Sequence, residues 1–180
     1  MRRGERAVNF RNPLRMNMQH HIRPATESDK DAIVAVFNYF VENSFAAYPE
    51  EALGGEFYER MEARATGYPF YSVTTDDGRV VGFGLIHPYH PAPTFSRTVE
   101  ITYFILTEFT GHGIGTALLS RLLEDARSLG CDTILASISS LNEQSLKFHR
   151  KHGFSECGRF QRVGKKQGRD FDVVWMQKFI

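Results

Sequence analysis

Side chains alternate over residues 99–106, with Val99, Ile101, Tyr103 and Ile105 on one side and Glu100, Thr102 and Phe104 on the other. A period of two with β-branched and aromatic content predicts a strand with one buried face. The pattern then changes. Residues 110–117 form a glycine-rich turn, and beyond them Ala117, Leu118, Leu122, Ala126 and Leu129, with Leu119 and Leu123 beside them, fall at helical spacing. Arg121, Glu124, Asp125 and Arg127 supply the wet side of that helix, and Gly130 ends it. Helical spacing also occurs at Ile33, Val36, Phe37, Phe40 and Val41, after a start at Thr26-Glu27-Ser28-Asp29 that reads as a variant capping box. Phe57 and Met61 mark a second helix, ending near Ala65.

The remaining elements are strands, apart from one helix near the end. A short strand is expected at residues 21–25. Two more, at 69–75 and 79–87, join across Asp76-Asp77-Gly78, a strong hairpin signal. Gly82 and Gly84 weaken the second of these and mark a close approach of backbone. A strand at 133–138 precedes a helix that Asn142 opens and Gly153 stops. Strands at 154–163 and 171–179, joined by a turn over 164–168, complete the chain.

Composition narrows the class. A chain of 180 residues with 42% hydrophobic content supports one substantial core, expected over residues 21–180. Its net charge of +1 argues against nucleic acid or an anionic membrane as main partner. No stretch approaches the roughly 20 apolar residues of a membrane span. Residues 1–20 differ from the rest: Arg2, Arg3, Arg6, Arg11 and Arg15 face only Glu5. They read as a flexible basic extension, as an arm that contacts a partner, or as sequence upstream of a start at Met16 or Met18. Cys131 and Cys157 are too few for a disulfide framework and fit a reducing, cytoplasmic compartment.

Candidate chemistry gathers around the glycine turn. Alternate glycines at 111, 113 and 115 let backbone approach a ligand, and the helix that follows presents unpaired N–H groups and a positive dipole end, as a phosphate site requires. The same residues would also serve a plain turn. Thr116 breaks a dinucleotide fingerprint counted from Gly111, and the Gly-Lys-Ser/Thr of a nucleotide-hydrolase loop is absent. Glu100 is either a general base or an exposed residue on the polar side of its strand. Phe45 and Tyr48, in the irregular stretch 42–55, read as aromatic walls of a substrate loop or as plugs at the core edge. The segment 87–95 holds three prolines and must be a loop leading to Glu100, which brings Tyr89 near a substrate. His87 and His90 could be bases or metal ligands, but surface or packing roles fit better, because no His, Cys and carboxylate cluster has metal-ligand spacing; no metal is expected.

The strand motif Thr98-Val99-Glu100-Ile101-Thr102-Tyr103-Phe104, the Gly-x-Gly turn, the run from Asn142 through Phe148-His149 to Gly153-Phe154 and the tail Gly164-Lys165-Lys166-Gln167-Gly168-Arg169 together resemble the GNAT superfamily of acetyl-CoA-dependent N-acetyltransferases. Within it, the chain resembles the phosphinothricin and L-amino-acid N-acetyltransferase branch, from about Ile22 to Phe179. The resemblance implies an α+β fold: a mixed, mostly antiparallel sheet flanked by helices, with a parallel βαβ pair at the acetyl-CoA cleft. It implies acetyl transfer to a small-molecule amine, an amino acid or analogue such as phosphinothricin, methionine sulfone or methionine sulfoximine. A protein or peptide acceptor, or a non-catalytic acetyl-CoA-binding regulator, are the alternatives.

By the same resemblance, Glu100 is the base and His149 stands where many members place a tyrosine acid. Phe104, Ile105 and Leu106 would meet the pantetheine arm and acetyl group. Gly111, His112, Gly113, Ile114, Gly115 and Thr116 would hold the pyrophosphate. Asn142 and Ser145 would touch the cofactor arm, or only cap their helix. Thr110 stands where the family pattern has Gln or Arg, which removes a cation and leaves the backbone nest. The 87–95 loop lacks the basic residues that phosphinothricin-acetylating relatives carry there, and Arg97 is its nearest cation. Lys165, Lys166 and Arg169 could meet a substrate carboxylate or form a solvated turn, and a homodimer through the last strands is expected.

Overall fold

The computed structural model describes residues 19–180. The expectation for residues 1–20 therefore lies outside the described residues, except at its boundary, where His20 pairs with Thr75. In chain order the elements are β1 (His20–Pro24), α1 (Lys30–Asn43), α2 (Glu56–Arg64), β2 (Phe70–Thr75), β3 (Val80–Pro88), β4 (Thr98–Ile105), α3 (Ile114–Ser128), β5 (Thr133–Ser139), α4 (Glu143–Lys151), β6 (Ser155–Lys166) and β7 (Arg169–Phe179). The strands make one seven-stranded sheet in the order β1-β2-β3-β4-β5-β7-β6. Every pairing is antiparallel except β4 with β5. Among the described residues no helix is long and apolar enough to cross a membrane.

Two apolar layers cover the sheet. On one face Leu118, Leu119, Leu122 and Ala126 of α3 pack on Ile86, Val99, Ile101, Ile134 and Met176. On the other, Ile33, Val36 and Phe37 of α1 and Phe57 of α2 pack on Phe83 and Leu85. The α3 stripe lies close because Gly84 has no side chain: a Cβ there would stand 3.0 Å from both Leu118 and Tyr103. That is the close approach the strand glycines indicated.

The last hairpin differs from expectation. β6 runs on to Lys166, so the connecting turn shrinks to Gln167 and Gly168. A register shift between Phe160 and Gly164, with Arg162 at φ 51°, absorbs the extra residues. Gly164 then re-pairs with Phe171, whose ring fills the space a side chain at 164 would need.

The entry to α1 is fixed by one buried carboxylate. Asp29 accepts from Arg23 Nη1 at 2.6 Å and Nη2 at 2.7 Å, from the Thr26 N–H at 3.0 Å and from the Ser72 hydroxyl at 3.1 Å. Hydrogen bonding to Arg23 leads in pulling its pKa down to about 2. The depressed pKa makes this interaction stabilising above the unfolded value near 3.9, and the contribution disappears as pH falls from about 4 to 2. Arg23→Gln is expected to cost about 2 kcal/mol at pH 6 and to flatten the stability loss between pH 4 and 2, both read from urea midpoints against the parent.

Candidate active site

The central feature is a pairing that stops. β4 and β5 are in register only from Thr98↔Thr133 to Glu100↔Leu135. Beyond that β4 stays with β3 as far as Ile105↔Gly82, and β5 stays with β7 as far as Ser139↔Val173. The strands diverge around a cleft of about 570 Å³, lined by Ile101 to Ile105, Ala136 to Ile138, the glycine turn and one side of α4.

Hydrogen-bond parity decides which backbone groups face the cleft. The Leu106 N–H donates to Val81 at 2.9 Å and the Tyr89 N–H to Thr98 at 3.2 Å. In an antiparallel ladder the bonded sides alternate, so even-numbered β4 residues bond to β3 and odd-numbered ones point away from it. Ile101, Tyr103 and Ile105 thus turn N–H and C=O groups to the side β5 has left. This corrects the expectation for Phe104 and Leu106. Their N–H groups are spent on β3, although the Phe104 side chain still lines the cleft.

At the cleft's end Gly111 and Gly113 sit at φ 80° and 84°, the left-handed region that favours glycine, and an added Cβ at either would meet nothing within 4 Å. The first α-helical bond of α3 runs from the Ala117 N–H to Gly113, which leaves the N–H groups of Ile114, Gly115 and Thr116 without helical partners. Ile114 buries its side chain in the core, Gly115 packs against Phe148, and His112 is exposed outside the cleft lining. Thr116 lies 3.0 Å from His152 Nε2, and Lys151 also lines the cleft, so a cation reaches this end from α4 rather than from position 110. Asn142 caps α4 by accepting from the Ser145 N–H at 3.1 Å, and both residues face the cleft. An open strand edge ending in a ring of unpaired N–H groups suits a ligand that carries amides at one end and phosphates at the other.

His149 does not stand as an acid. Its Nδ1 donates to the Ser145 carbonyl at 2.8 Å, so Nε2 is left to accept from the Tyr103 hydroxyl, also at 2.8 Å. Burial pushes its pKa down to about 4, and burial likewise raises that of Tyr103. The imidazole is therefore neutral at pH 7, and the exchangeable proton of the pair is on the phenol. In the sequence Tyr103 lies on the apolar side of the alternation, and nothing local signals its pairing with a histidine 46 residues away.

Glu100 lies on the opposite sheet face. Ser137, which lines the cleft, donates to Glu100 Oε1 at 3.0 Å, and His87 Nε2 stands 3.9 Å from Oε2. His87 is buried, donates from Nδ1 to the Pro88 carbonyl at 2.9 Å and accepts from Arg64 Nη2 at 2.8 Å. Burial, reinforced by the Arg64 charge, lowers its pKa. Tyr48 directs its hydroxyl toward Ser137 and Glu100; burial raises its pKa, Ser137 opposes that and the Glu100 charge adds to it.

The other expected acceptor residues divide. Tyr48 stacks on Phe171 at 5.7 Å, and Phe45 lies under the Arg169 guanidinium at 5.0 Å, next to Ser44 and Ala46, which line the cleft. Tyr89 packs edge-on against Trp175 at 6.2 Å. Arg97 is not brought to the cleft: it pairs with Asp132 at the far end of β4, with Nε 2.8 Å from Oδ1. Lys166 is buried too, and its ammonium donates to the carbonyls of Val41, Ser44 and Ala47 at 2.6, 2.8 and 2.8 Å. Neither reading of it, a substrate-carboxylate contact or a solvated turn, holds for a side chain so buried, and burial lowers its pKa. The Gln167 N–H donates to Glu50 at 2.8 Å, so the hairpin tip grips the segment that bears Phe45 and Tyr48.

Residues 33–154 match the Acetyltransferase (GNAT) family. The chain belongs to the GNAT acetyltransferases. It is 33% identical to the L-methionine sulfoximine/L-methionine sulfone acetyltransferase of Pseudomonas paraeruginosa, over 89% of this chain and 94% of that one. The structure superposes with TM-score 0.84 on a phosphinothricin acetyltransferase from Sinorhizobium meliloti in complex with AcCoA, at 28% identity, covering 91% of this chain and 89% of that one. A ribosomal-protein-alanine N-acetyltransferase from Brucella melitensis matches with TM-score 0.80 at 35% identity, over 89% and 99% of the two chains. The GNAT chain described here is thus an acyltransferase of the phosphinothricin and amino-acid type, and its open β4 edge and glycine turn fit acetyl-CoA.

Two outcomes follow from these contacts. The folded His149 pKa lies below the unfolded value of about 6.5, so protonation favours unfolding and stability contributed by this site falls as pH drops from about 6.5 to 4. Nitrogen chemical shifts should show Nε2 unprotonated at pH 6, and a charged ring at that pH would refute the assignment. Lys166→Met should lower the melting temperature, by about 2 kcal/mol of stability, because three buried carbonyls lose their donor. It should also raise the acceptor KM more than the acetyl-CoA KM.

Proposed function

We propose that this GNAT enzyme acetylates the α-amine of a small amino acid or amino-acid analogue, with Glu100 as general base. The observation that carries this reading is the position of Glu100: it is the last β4 residue paired with β5, and Ser137 ties it to the cleft where the open edge begins. Acetyl-CoA, when bound, supplies the acetyl group as a thioester. Tyr103 and Ile105 would hold its amide-bearing arm through their free backbone groups, and the N–H groups of Gly113 to Thr116 its phosphates. An α-amine, with a pKa of roughly 7.7–8.0, is partly neutral at pH 7, so a carboxylate suffices to take its remaining proton, directly or through one water. Ser137 fixes the carboxylate, and Tyr48 closes the site from the α1 side. On the opposite face Tyr103 and His149 form a neutral hydrogen-bonded pair that lines the cleft without adding charge to it.

The named relatives acetylate methionine sulfoximine, methionine sulfone or phosphinothricin, which makes acceptors of that class the first choice. A protein amino terminus is the second reading, favoured by the likeness to the Brucella enzyme. The outer strand β6, with Phe160 and Val163 exposed, suits the homodimer that the resemblance implies, and the free cysteines suit a cytoplasmic setting.

CoA release measured across free amino acids, their sulfone and phosphinate analogues, polyamines and a short peptide tests the acceptor class. Turnover limited to the peptide would replace the first reading with the second. Glu100→Gln should lower kcat by about 10²-fold and leave the acetyl-CoA KM within about twofold. Full activity in that variant would remove the base.

A further inference from the structure

We propose that Arg64 is the residue that anchors the α-carboxylate of the acceptor and sets a preference for the free acid over its amide. The inference rests on the acetyl-transfer reading above and adds a subsite to it. Arg64 is the last residue of α2, and its Nη2 donates to His87 Nε2. That contact spends one of the five donors of a guanidinium. Among the described residues Arg64 has no carboxylate partner, whereas Arg23, Arg79, Arg97, Arg121, Arg150, Arg159 and Arg162 each have one. Arg60, Arg127 and Arg169 are also without one, and Arg64 differs from them in its contact with His87.

The position of this free cation gives it a function. His87 Nε2 faces Arg64 Nη2 at 2.8 Å and Glu100 Oε2 at 3.9 Å, so the two charged groups share one imidazole nitrogen as neighbour. The ring is buried and its Nδ1 proton is committed to Pro88, so His87 neutralises neither neighbour. The amine nitrogen and the nearer carboxylate oxygen of an α-amino acid are about 3 Å apart, and a hydrogen bond of about 2.8 Å at each end lets one molecule reach both Glu100 and Arg64. The carboxylate would take the remaining guanidinium donors in a charge-assisted, two-pronged contact, which fixes the amine on the Glu100 side. An amide, ester or peptide carbonyl in the same place carries no charge to pair. The cation missing from the 87–95 loop is thus supplied by α2.

The test compares L-methionine sulfone with its α-carboxamide, both acetylated by the parent enzyme, Arg64→Gln and Arg64→Lys, with the acetyl-CoA KM measured alongside. The parent should prefer the free acid, and Arg64→Gln should reduce the acid-over-amide ratio of kcat/KM at least tenfold, mainly through KM for the acid. Taking the ratio cancels the difference in amine reactivity between the two acceptors. Arg64→Lys should retain part of the preference, since a point charge remains without the fork. An equal fall for both acceptors in Arg64→Gln would overturn the anchor, because it would mean that Arg64 acts only through His87 on Glu100. A parent enzyme indifferent to the carboxylate would overturn it as well. No turnover of any amine by the parent would instead remove the acetyl-transfer reading, and the anchor with it.

Discussion

The structure depends on the point at which β4 and β5 cease to pair. Each strand keeps its outer partner, so the sheet is not weakened where it opens. The inner edges are left with donors and acceptors that burial would make costly and that a ligand's amides can satisfy. Since β4 runs directly into the glycine turn and the start of α3, the open edge and the phosphate-binding end are consecutive in the chain. The interruption in the ladder and the turn that follows it thus make up both halves of the site proposed for the acetyl donor.

Strand alternation then sorts the titratable groups of β4 onto opposite faces. Glu100 and Thr102 project toward the α1 and α2 side, and Tyr103 toward α3 and α4. Each face has a buried histidine used in the same way. His87 and His149 both commit Nδ1 to a backbone carbonyl and keep Nε2 as an acceptor, for Arg64 in one case and Tyr103 in the other. A neutral imidazole held so orients its neighbour and adds no charge beside the reacting groups.

The acceptor wall is held from a distance in sequence. The segment with Phe45 and Tyr48 has no regular structure, and its shape comes from the β6–β7 tip, where Lys166 donates to three of its carbonyls or those of the adjoining helix end. A buried lysine is tolerated because every donor is used, and Glu50 adds a charge of opposite sign nearby. Changes in the last hairpin are thereby coupled to the segment proposed as the acceptor wall.

The sequence by itself determined the elements and their order: alternation at 99–106, the α3 stripe, the hairpin at Gly78 and the glycine turn are all local patterns, and each sits within a strand or helix length. Through resemblance it also singled out Glu100 and the turn as candidates for the two ends of the site. Only the tertiary structure decided which side chains separated by 35 residues or more meet. Ser137 reaches Glu100 because of a parallel register, Arg97 is taken by Asp132 at the wrong end of β4, and Lys166 is drawn from a nominal turn into the interior. The same holds for the backbone of Phe104 and Leu106, whose hydrogen-bond direction follows from pairing with β3. Periodicity records how a segment faces its own surroundings, whereas register and sheet order, which set proton donors against acceptors, arise only when distant segments pack.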